Sequence, residues 1–495
     1  VSSEQIIVVS DIHLGEDLVQ KGPPTLQHYI NRLNEQFVAF VDFLRERKRE
    51  GPLDLVINGD MFDFVKISLR PDPREAYMRW QQGLSANEQQ GLSAAERRHG
   101  LDNSPARVEW KLERILESHR PAFLSLSELI GDGNRLHIVA GNHDREFYYP
   151  QIVSHLRSAL TDLYYARHRE LDTPEARTAF AARIDFSMWF HLSEGGVYIE
   201  HGHQYDPYCS FEYLLAPRKR PEEMKVALPL THKAIPYFAD LLGDMSTHNL
   251  DTRGLGYYFR MLFAMGPKRI GILLWAYVRA VASILREAGG KGRVARLALE
   301  SEHLAERSEV ANKYKISEGT VHALDALHAT PAEFSLVKMI QCFYVDRFAL
   351  GFVVLAALGL ETLLIDDRLW RLGSFAVTLA VGGLTSEWLG SKRRFDTRAF
   401  LREGAAGVAR TLGSKLVIFG HSHKPEVIPL ENGGHYMNIG SWISRAALLG
   451  ESDWGMTFAW IGPDSGPSGL YRWAGNTREA KLVQALSPAA VQTSS

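Results

Sequence analysis

Short runs of aliphatic, largely β-branched residues punctuate the first two hundred positions: Ile6-Ile7-Val8-Val9, then 53–57, 136–140 and 197–200. Each is followed at once by a polar turn that carries glycine, and the stretches between them have helical spacing. That alternation predicts βαβ units and an α/β domain. Between the second and third runs, residues 71–119 or so read as a charged helical insert. There Ser85 and Ser93 are each followed three positions on by a glutamate, Glu88 and Glu96, the capping-box signature of two helix starts. From about Pro207 to Phe395 the strand signals fade and long helical patterns take over. Strand patterns resume over 415–419, 436–439, 456–461 and 469–473. The chain therefore reads as one α/β domain in two parts, 1–206 and 396–475, split by a helical insertion at 207–395. Residues 476–495, rich in Ala, Gln, Ser and Thr, read as a frayed tail.

Two apolar stretches stand out inside the insertion. Residues 348–365 are apolar apart from Glu361 and Thr362, and 372–388 are mostly so; a charged loop with a tryptophan, Asp366-Asp367-Arg368-Leu369-Trp370-Arg371, separates them. Arg347 precedes the pair and Lys392-Arg393-Arg394 follows it. Cations on the outer flanks fit a helical hairpin that keeps the rest of the chain at the cytoplasmic face of a membrane. Both runs fall slightly short of the ~20 apolar residues of a full span, so a buried helical pair packed as a cap is the competing expectation. Residues 261–285 add an apolar run with Trp275 and Tyr277 bracketed by Lys268, Arg269, Arg279 and Arg286, the pattern of a helix lying at headgroup level. Membrane association through 348–388 and 261–285, or a lid that grips an acyl chain, is the preferred elaboration.

Composition narrows the classes. With 495 residues and a formal net charge of −2, the chain has room for a large core and no global basic field to hold nucleic acid. Its two cysteines, Cys209 and Cys342, make no disulfide framework and no four-cysteine zinc module. They read as reduced core thiols in a cytoplasmic protein, in keeping with a start that lacks a signal-peptide pattern. The absence of Gly-x-x-x-x-Gly-Lys-Ser/Thr and Gly-x-Gly-x-x-Gly leaves nucleoside-triphosphate motors and dehydrogenases without support.

Candidate chemistry sits in the turns after the strands. Asp11 and His13 follow the first; side chains two apart on an extended chain point the same way, so both reach one ion. Gly59-Asp60 and Asp63 follow the second, Gly141-Asn142-His143-Asp144 the third, His201-Gly202-His203 the fourth, and Gly420-His421-Ser422-His423 the first resumed strand. In open α/β sheets the carboxyl ends of the strands line one crevice, where these turns would converge. Singly, an Asp-x-His or Gly-Asp is the composition of an ordinary turn. The five together, each behind a strand, are not explained that way.

This order of motifs resembles the calcineurin-like metallophosphoesterases. The resemblance implies a four-layer α/β/β/α sandwich split by the helical insertion, and a binuclear hydrolase in which a metal-activated water attacks a phosphomonoester, phosphodiester or pyrophosphate. It implies that Asp11, His13, Asp60 and His423 hold one ion, and that Asp60 bridges to a second, also held by Asn142, His201 and His421. Oxygen and imidazole ligands without thiolate suit Mn²⁺ first, with Fe, Zn²⁺ or Mg²⁺ as alternatives. By the same resemblance His143 faces substrate and Asp63 orients it, as an acid–base pair. Asp144 and His203 are candidates for orienting ligands or, equally, for direct roles, and Arg145 for a phosphate contact, with a plain surface position as its alternative. Phe64-Val65 after Asp63, where protein phosphatases carry Arg-Gly, argues against that branch. Asp11-Ile12-His13-Leu14-Gly15, Gly59-Asp60-Met61-Phe62-Asp63 and Asn142-His143-Asp144-Arg145-Glu146-Phe147 look more like the UDP-2,3-diacylglucosamine pyrophosphohydrolase branch. His143 where that branch has Arg, and the greater length, depart from it. The expected partner is thus a phosphoester, with lipid or nucleotide conjugates as candidates. A non-catalytic scaffold and a nuclease on the same core are the alternatives. His232, His248, His303, His322 and His328, in the insertion, read as ordinary surface or core residues.

Overall fold

The structure is a computed structural model. It describes residues 5–19, 25–47, 51–80, 91–218, 220–234, 271–272, 274–282, 284, 293–391, 396–442, 455–462 and 467–487. The Ser85–Glu88 capping pattern, His248 and residues 261–270 lie outside the described residues.

Twelve described strands form two sheets: β1 Gln5–Val9, β2 Leu53–Asn58, β3 Arg135–Val139, β4 Ile184–Ser187, β5 Phe190–Leu192, β6 Val197–Glu200, β7 Leu416–Phe419, β8 Glu426–Pro429, β9 His435–Asn438, β10 Thr457–Ile461, β11 Gly469–Ala474 and β12 Glu479–Ala485. The larger sheet runs β12-β11-β10-β1-β2-β3-β4 and the smaller β5-β6-β7-β9-β8. The neighbours β1, β2, β3 and β4 are parallel, as are β6, β7 and β9.

Side-chain alternation assigns the layers. Ile6 and Val8 of β1 face Ile199, Ile418 and Met437 of the other sheet across an apolar inter-sheet core. Their neighbours Ile7 and Val9 point the opposite way, onto the helices Thr25–Glu46, Pro105–Ser118 and Arg120–Gly131 through Phe37, Phe40, Leu112 and Leu126. On the far side, Tyr198, Val417, Phe419 and Tyr436 meet Leu401, Ala405 and Val408 of the helix Thr397–Leu412. The expected four-layer α/β/β/α sandwich is the fold. Fully burying one such aliphatic side chain is worth about 1.5–3 kcal/mol, so both interfaces contribute heavily to stability.

Two expectations change. The helices Arg293–Tyr314 and Glu318–Asp325, in the segment expected as an insertion, also cover the small sheet, through Ala311, Val321 and Leu324. They share that outer face with the helix Thr397–Leu412, in one apolar cluster. The segment read as a frayed tail contains β12, paired antiparallel to β11 from Gly469 opposite Ala485 to Ala474 opposite Glu479. It is an edge strand with mostly exposed side chains, so it lacks the hydrophobic alternation that would have marked it. Finally, the apolar pair forms the helices Val345–Leu364 and Arg368–Ser391, and none of the first is buried. The capping box at Ser93 is present, with Glu96 N donating to Ser93 Oγ (3.2 Å) and Ser93 N to Glu96 Oε2 (2.8 Å).

Candidate metal centre

The turn after β1 is zipped to the turn after β2. Asp11 N donates to Gly59 O (3.1 Å), His13 N to Asp60 O (2.8 Å) and Leu14 N to Met61 O (2.9 Å). Within the small sheet Gly420 N donates to His201 O (3.0 Å), and across the sandwich His421 N donates to Asp11 Oδ2 (3.2 Å), which draws the two sheets' turns together. The backbone is strained where it matters. Of the nine non-glycine residues with positive φ among those described, five are Asp11 (55°), His13 (51°), Asp60 (50°), His421 (63°) and His423 (56°). Such conformations cost about 1–3 kcal/mol each and persist where surrounding structure enforces them for a function. Two glycines make the closeness feasible. A Cβ on Gly141 would lie 2.1 Å from Asp60 Oδ1, and one on Gly59, at φ +78°, 2.3 Å from His201 Nδ1.

Asp60 is the hub. Its Oδ2 lies 3.3 Å from His201 Nε2 and 3.8 Å from His13 Nε2, while Oδ1 accepts the His143 backbone N–H (2.9 Å). On one side, His423 Nε2 is 2.9 Å from Asp11 Oδ1 and 3.4 Å from His13 Nε2. On the other, His201 Nε2 is 3.1 Å from Asn142 Oδ1. The sets Asp11–His13–His423 and Asp11–Asp60–His201 each bring three ligand atoms within 4.8 Å of one another. His421 approaches from the same side, its ring 5.3 Å from that of His201.

The donors fit a cation. His201 Nδ1 faces the Asn58 carbonyl at 3.0 Å, so it carries the hydrogen and directs Nε2 toward Asn142 Oδ1 and Asp60. Burial opposes a charged imidazole there, yet Asp60 and Asp11 push His201 up to about 10. Burial also raises Asp60, but His201 and His143 hold it well below the ordinary carboxylate range. The carboxylates that raise His201 supply negative potential of the kind that holds a divalent ion.

Asp63 stands behind two imidazoles. Its Oδ1 is 3.1 Å from His143 Nδ1 and its Oδ2 3.5 Å from His13 Nδ1. Lys66 holds it in place, with the backbone N–H donating to Oδ1 (3.0 Å) and Nζ 3.5 Å from Oδ2. Burial works against a charged His143, but Asp63 and Asp60 raise its pKa above the ordinary imidazole value.

The remaining expected residues take structural positions. Asp144 accepts N–H groups from Met61 (2.7 Å), Phe62 (3.3 Å) and Gly141 (2.6 Å), tying the second turn to the third, and burial with the nearby Asp60 pushes it up to about 7. His203 is buried with neither ring nitrogen hydrogen-bonded to a described residue, and burial, then Arg145, holds it well below the ordinary imidazole value. Arg145 is not a surface residue: it is buried, its guanidinium donates to the carbonyls of Met188 (2.8 Å) and Leu214, and it lies 5.1 Å from the Phe211 ring centroid. Held in this way, it ties the third turn to the 211–216 segment.

Two residues escaped the sequence reading. Asp206 Oδ2 lies 3.3 Å from His421 Nε2, and Asp206 is held by Tyr208 N–H (2.9 Å) and Thr397 Oγ1 (3.1 Å), so it orients that ring. His232, expected to be an ordinary core or surface residue, is at the site. Asn142 Nδ2 donates to His232 Nε2 (3.1 Å), and the His232 ring centroid is 4.1 Å from that of His143. The bond fixes the amide so that Oδ1, not Nδ2, meets His201. No strand precedes His232, so nothing local marks it. His303 and His328, by contrast, pair with Asp325, and His322 meets Arg307. His232→Ala frees the amide to flip, and the expected result is a metal affinity about 10–100-fold weaker. Titration of the metal-free protein with Mn²⁺ reads it; unchanged affinity would show that His232 does not orient Asn142.

The calcineurin-like phosphoesterase profile matches residues 5–260, more than half of the chain. The chain belongs to the calcineurin-like phosphoesterase family. Comparisons with curated proteins and with solved structures returned no match. Members of the family typically use divalent metals, and this calcineurin-like phosphoesterase has clustered candidate ligands for them, so family and site both point to a metal-dependent phosphoester hydrolase. The matched range includes the turns bearing Asp11, Asp60, Asn142 and His201. His421 and His423 lie beyond it and are brought in by β7, beside β6.

Proposed function

We propose that the chain hydrolyses phosphoesters at a binuclear centre, with Asp11, His13, Asp60 and His423 holding one divalent cation, and Asp60, Asn142, His201 and His421 the other. The carrying observation is the convergence of ligand atoms on Asp60, next to an imidazole that a buried carboxylate supports. Mn²⁺ is the first candidate, from oxygen and imidazole donors without thiolate. When bound, two such ions stabilise charge on phosphoryl oxygens and make water a nucleophile at neutral pH.

The chain's own residues do the rest. Asp60 fixes the position of His143 through the backbone N–H, and Asp63 fixes its ring through Nδ1, which turns Nε2 away from Asp63. Held charged by Asp63 and Asp60, His143 donates its Nε2 proton to the departing oxygen, so the leaving group departs as an alcohol or phosphate rather than as an alkoxide. A binding scaffold has no use for that pair.

The test is turnover of p-nitrophenyl phosphate, its bis ester and a nucleoside diphosphate conjugate by metal-stripped protein with and without Mn²⁺, with single- and double-stranded DNA in parallel. Metal-restored turnover of a small phosphoester is expected. No turnover of any substrate by fully loaded protein would contradict the proposal, and cleavage confined to DNA would make the chain a nuclease.

A further inference from the structure

We propose that the helices Val345–Leu364 and Arg368–Ser391 form a hairpin that spans a lipid bilayer and holds the catalytic sandwich at its cytoplasmic face. The helices pack antiparallel: Gly382 lies against Val354, Gly390 against Arg347, and Thr378 Oγ1 donates to Glu361. The contact at Gly382 is a close one, since a Cβ there would be 2.8 Å from Val354 Cγ2. Small residues between helices are what bilayer packing favours.

The outward surface is what water disfavours. Phe352, Val353, Leu355, Leu360, Val381 and Leu384 are each more than half exposed, so apolar side chains cover the hairpin from base to tip. Exposed patches of that extent mark an interaction surface. Length selects the occupant. Val345–Leu364 has 20 residues and, alone among the described helices, is long and apolar enough to cross a membrane; its partner Arg368–Ser391 has 24 residues and is less apolar. At 1.5 Å per residue it extends ~30 Å, the thickness of the hydrocarbon layer.

The polar groups are arranged for the same occupant. Charges gather at the tip, Asp366, Asp367, Arg368 and Arg371, and in the sequence Arg347 precedes the pair and Lys392-Arg393-Arg394 follows it. Four cations on the outer flanks against two between the helices favour a hairpin whose open end, with the sandwich joined to it, is on the cytoplasmic side. Exposed aromatic rings stand at both levels, Trp370 at the tip and Tyr344 and Trp388 at the base. Glu361, one turn from the tip, has the Thr378 hydroxyl as a donor.

A third element extends the surface at the base. Tyr277 donates to Phe343 O and stacks near Phe348, ring centroids 4.6 Å apart. That contact sets helical residues 274–282 beside the hairpin's start. Their Ala280 side is buried, while Leu274, Trp275 and Val278 are exposed. Such an amphipathic element suits the headgroup layer. A second copy of the chain would cover one side of the hairpin but would leave its polar tip and two aromatic levels without a purpose.

The test uses the full chain and reads location, so it stands or falls separately from the hydrolase reading. Membranes of expressing cells are washed with alkaline carbonate, and purified protein is floated with phosphatidylcholine vesicles. Retention in the pellet and flotation are expected, with loss of both in the double variant Val353→Arg, Leu379→Arg. Sidedness is read in a Cys342→Ser background with a membrane-impermeant maleimide on intact spheroplasts. Trp370→Cys should label from outside, and Glu170→Cys, on the sandwich surface, only after lysis. Recovery of a soluble protein without detergent, as a monomer or a dimer, would overturn the proposal, as would identical labelling of the two positions.

Discussion

Asp60→Asn is expected to weaken metal binding by about 10²–10⁴ and to remove turnover with it. Asp60 is buried; one oxygen faces His201 and His13, and the other takes the N–H of His143. Removing one partner of a buried charge constellation costs about 3–5 kcal/mol because the remaining charges stay desolvated and unopposed. The amide keeps the volume and an acceptor for the His143 N–H, so the turn is expected to hold its shape and the loss to report on charge. Metal analysis after desalting, beside kcat/KM, reads it. Full metal content in this variant would show that Asp60 is not shared between ions.

His143→Ala is expected to lower kcat by about 10²–10⁴ while metal content stays unchanged, because the imidazole contributes a proton rather than a ligand. Asp63→Asn separates that role from plain packing. Burial alone would lower the His143 pKa, and Asp63 with Asp60 raises it above the ordinary imidazole value. The proton-donating form therefore persists to a higher pH than in free imidazole, and activity declines as pH rises through the raised pKa. Without the Asp63 charge, burial gains weight, and the alkaline limb of the kcat/KM profile should move to lower pH. The stability sign agrees: a raised histidine stabilises the fold below its unfolded pKa of about 6.5 and loses that contribution as pH climbs through the folded value. An alkaline limb that stays in place would mean the limb belongs to another group.

The turns that bear the proposed metal ligands stand out in sequence because each combines two cheap signals, a strand run and a Gly-flanked carboxylate or imidazole. The strands were legible as continuous apolar runs, buried on both faces, and the four-layer arrangement followed from the family resemblance. β4, β5 and β8, which mix polar with apolar residues, and β12, exposed along most of its length, offer no such run and were not legible. The helices Arg293–Tyr314 and Glu318–Asp325 read as helices, but periodicity says nothing about which sheet they cover. His232 and Asp206 were illegible for a related reason. Each acts through one contact made in three dimensions, on Asn142 and on His421, and a single histidine or aspartate in a loop has no distinctive neighbourhood in sequence. Arg145 is a different case. Its place in the chain suggested phosphate or the surface, and it is buried, with its terminal nitrogens donating to the Met188 and Leu214 carbonyls.

The most direct measurement is a crystal structure of Mn²⁺-loaded protein with anomalous data at the manganese edge. Two peaks about 3.5–4 Å apart, with Asp60 touching both and Asn142 on one, are the predicted result. A single peak, or ions bound away from Asp11, Asp60 and His201, would contradict the binuclear centre.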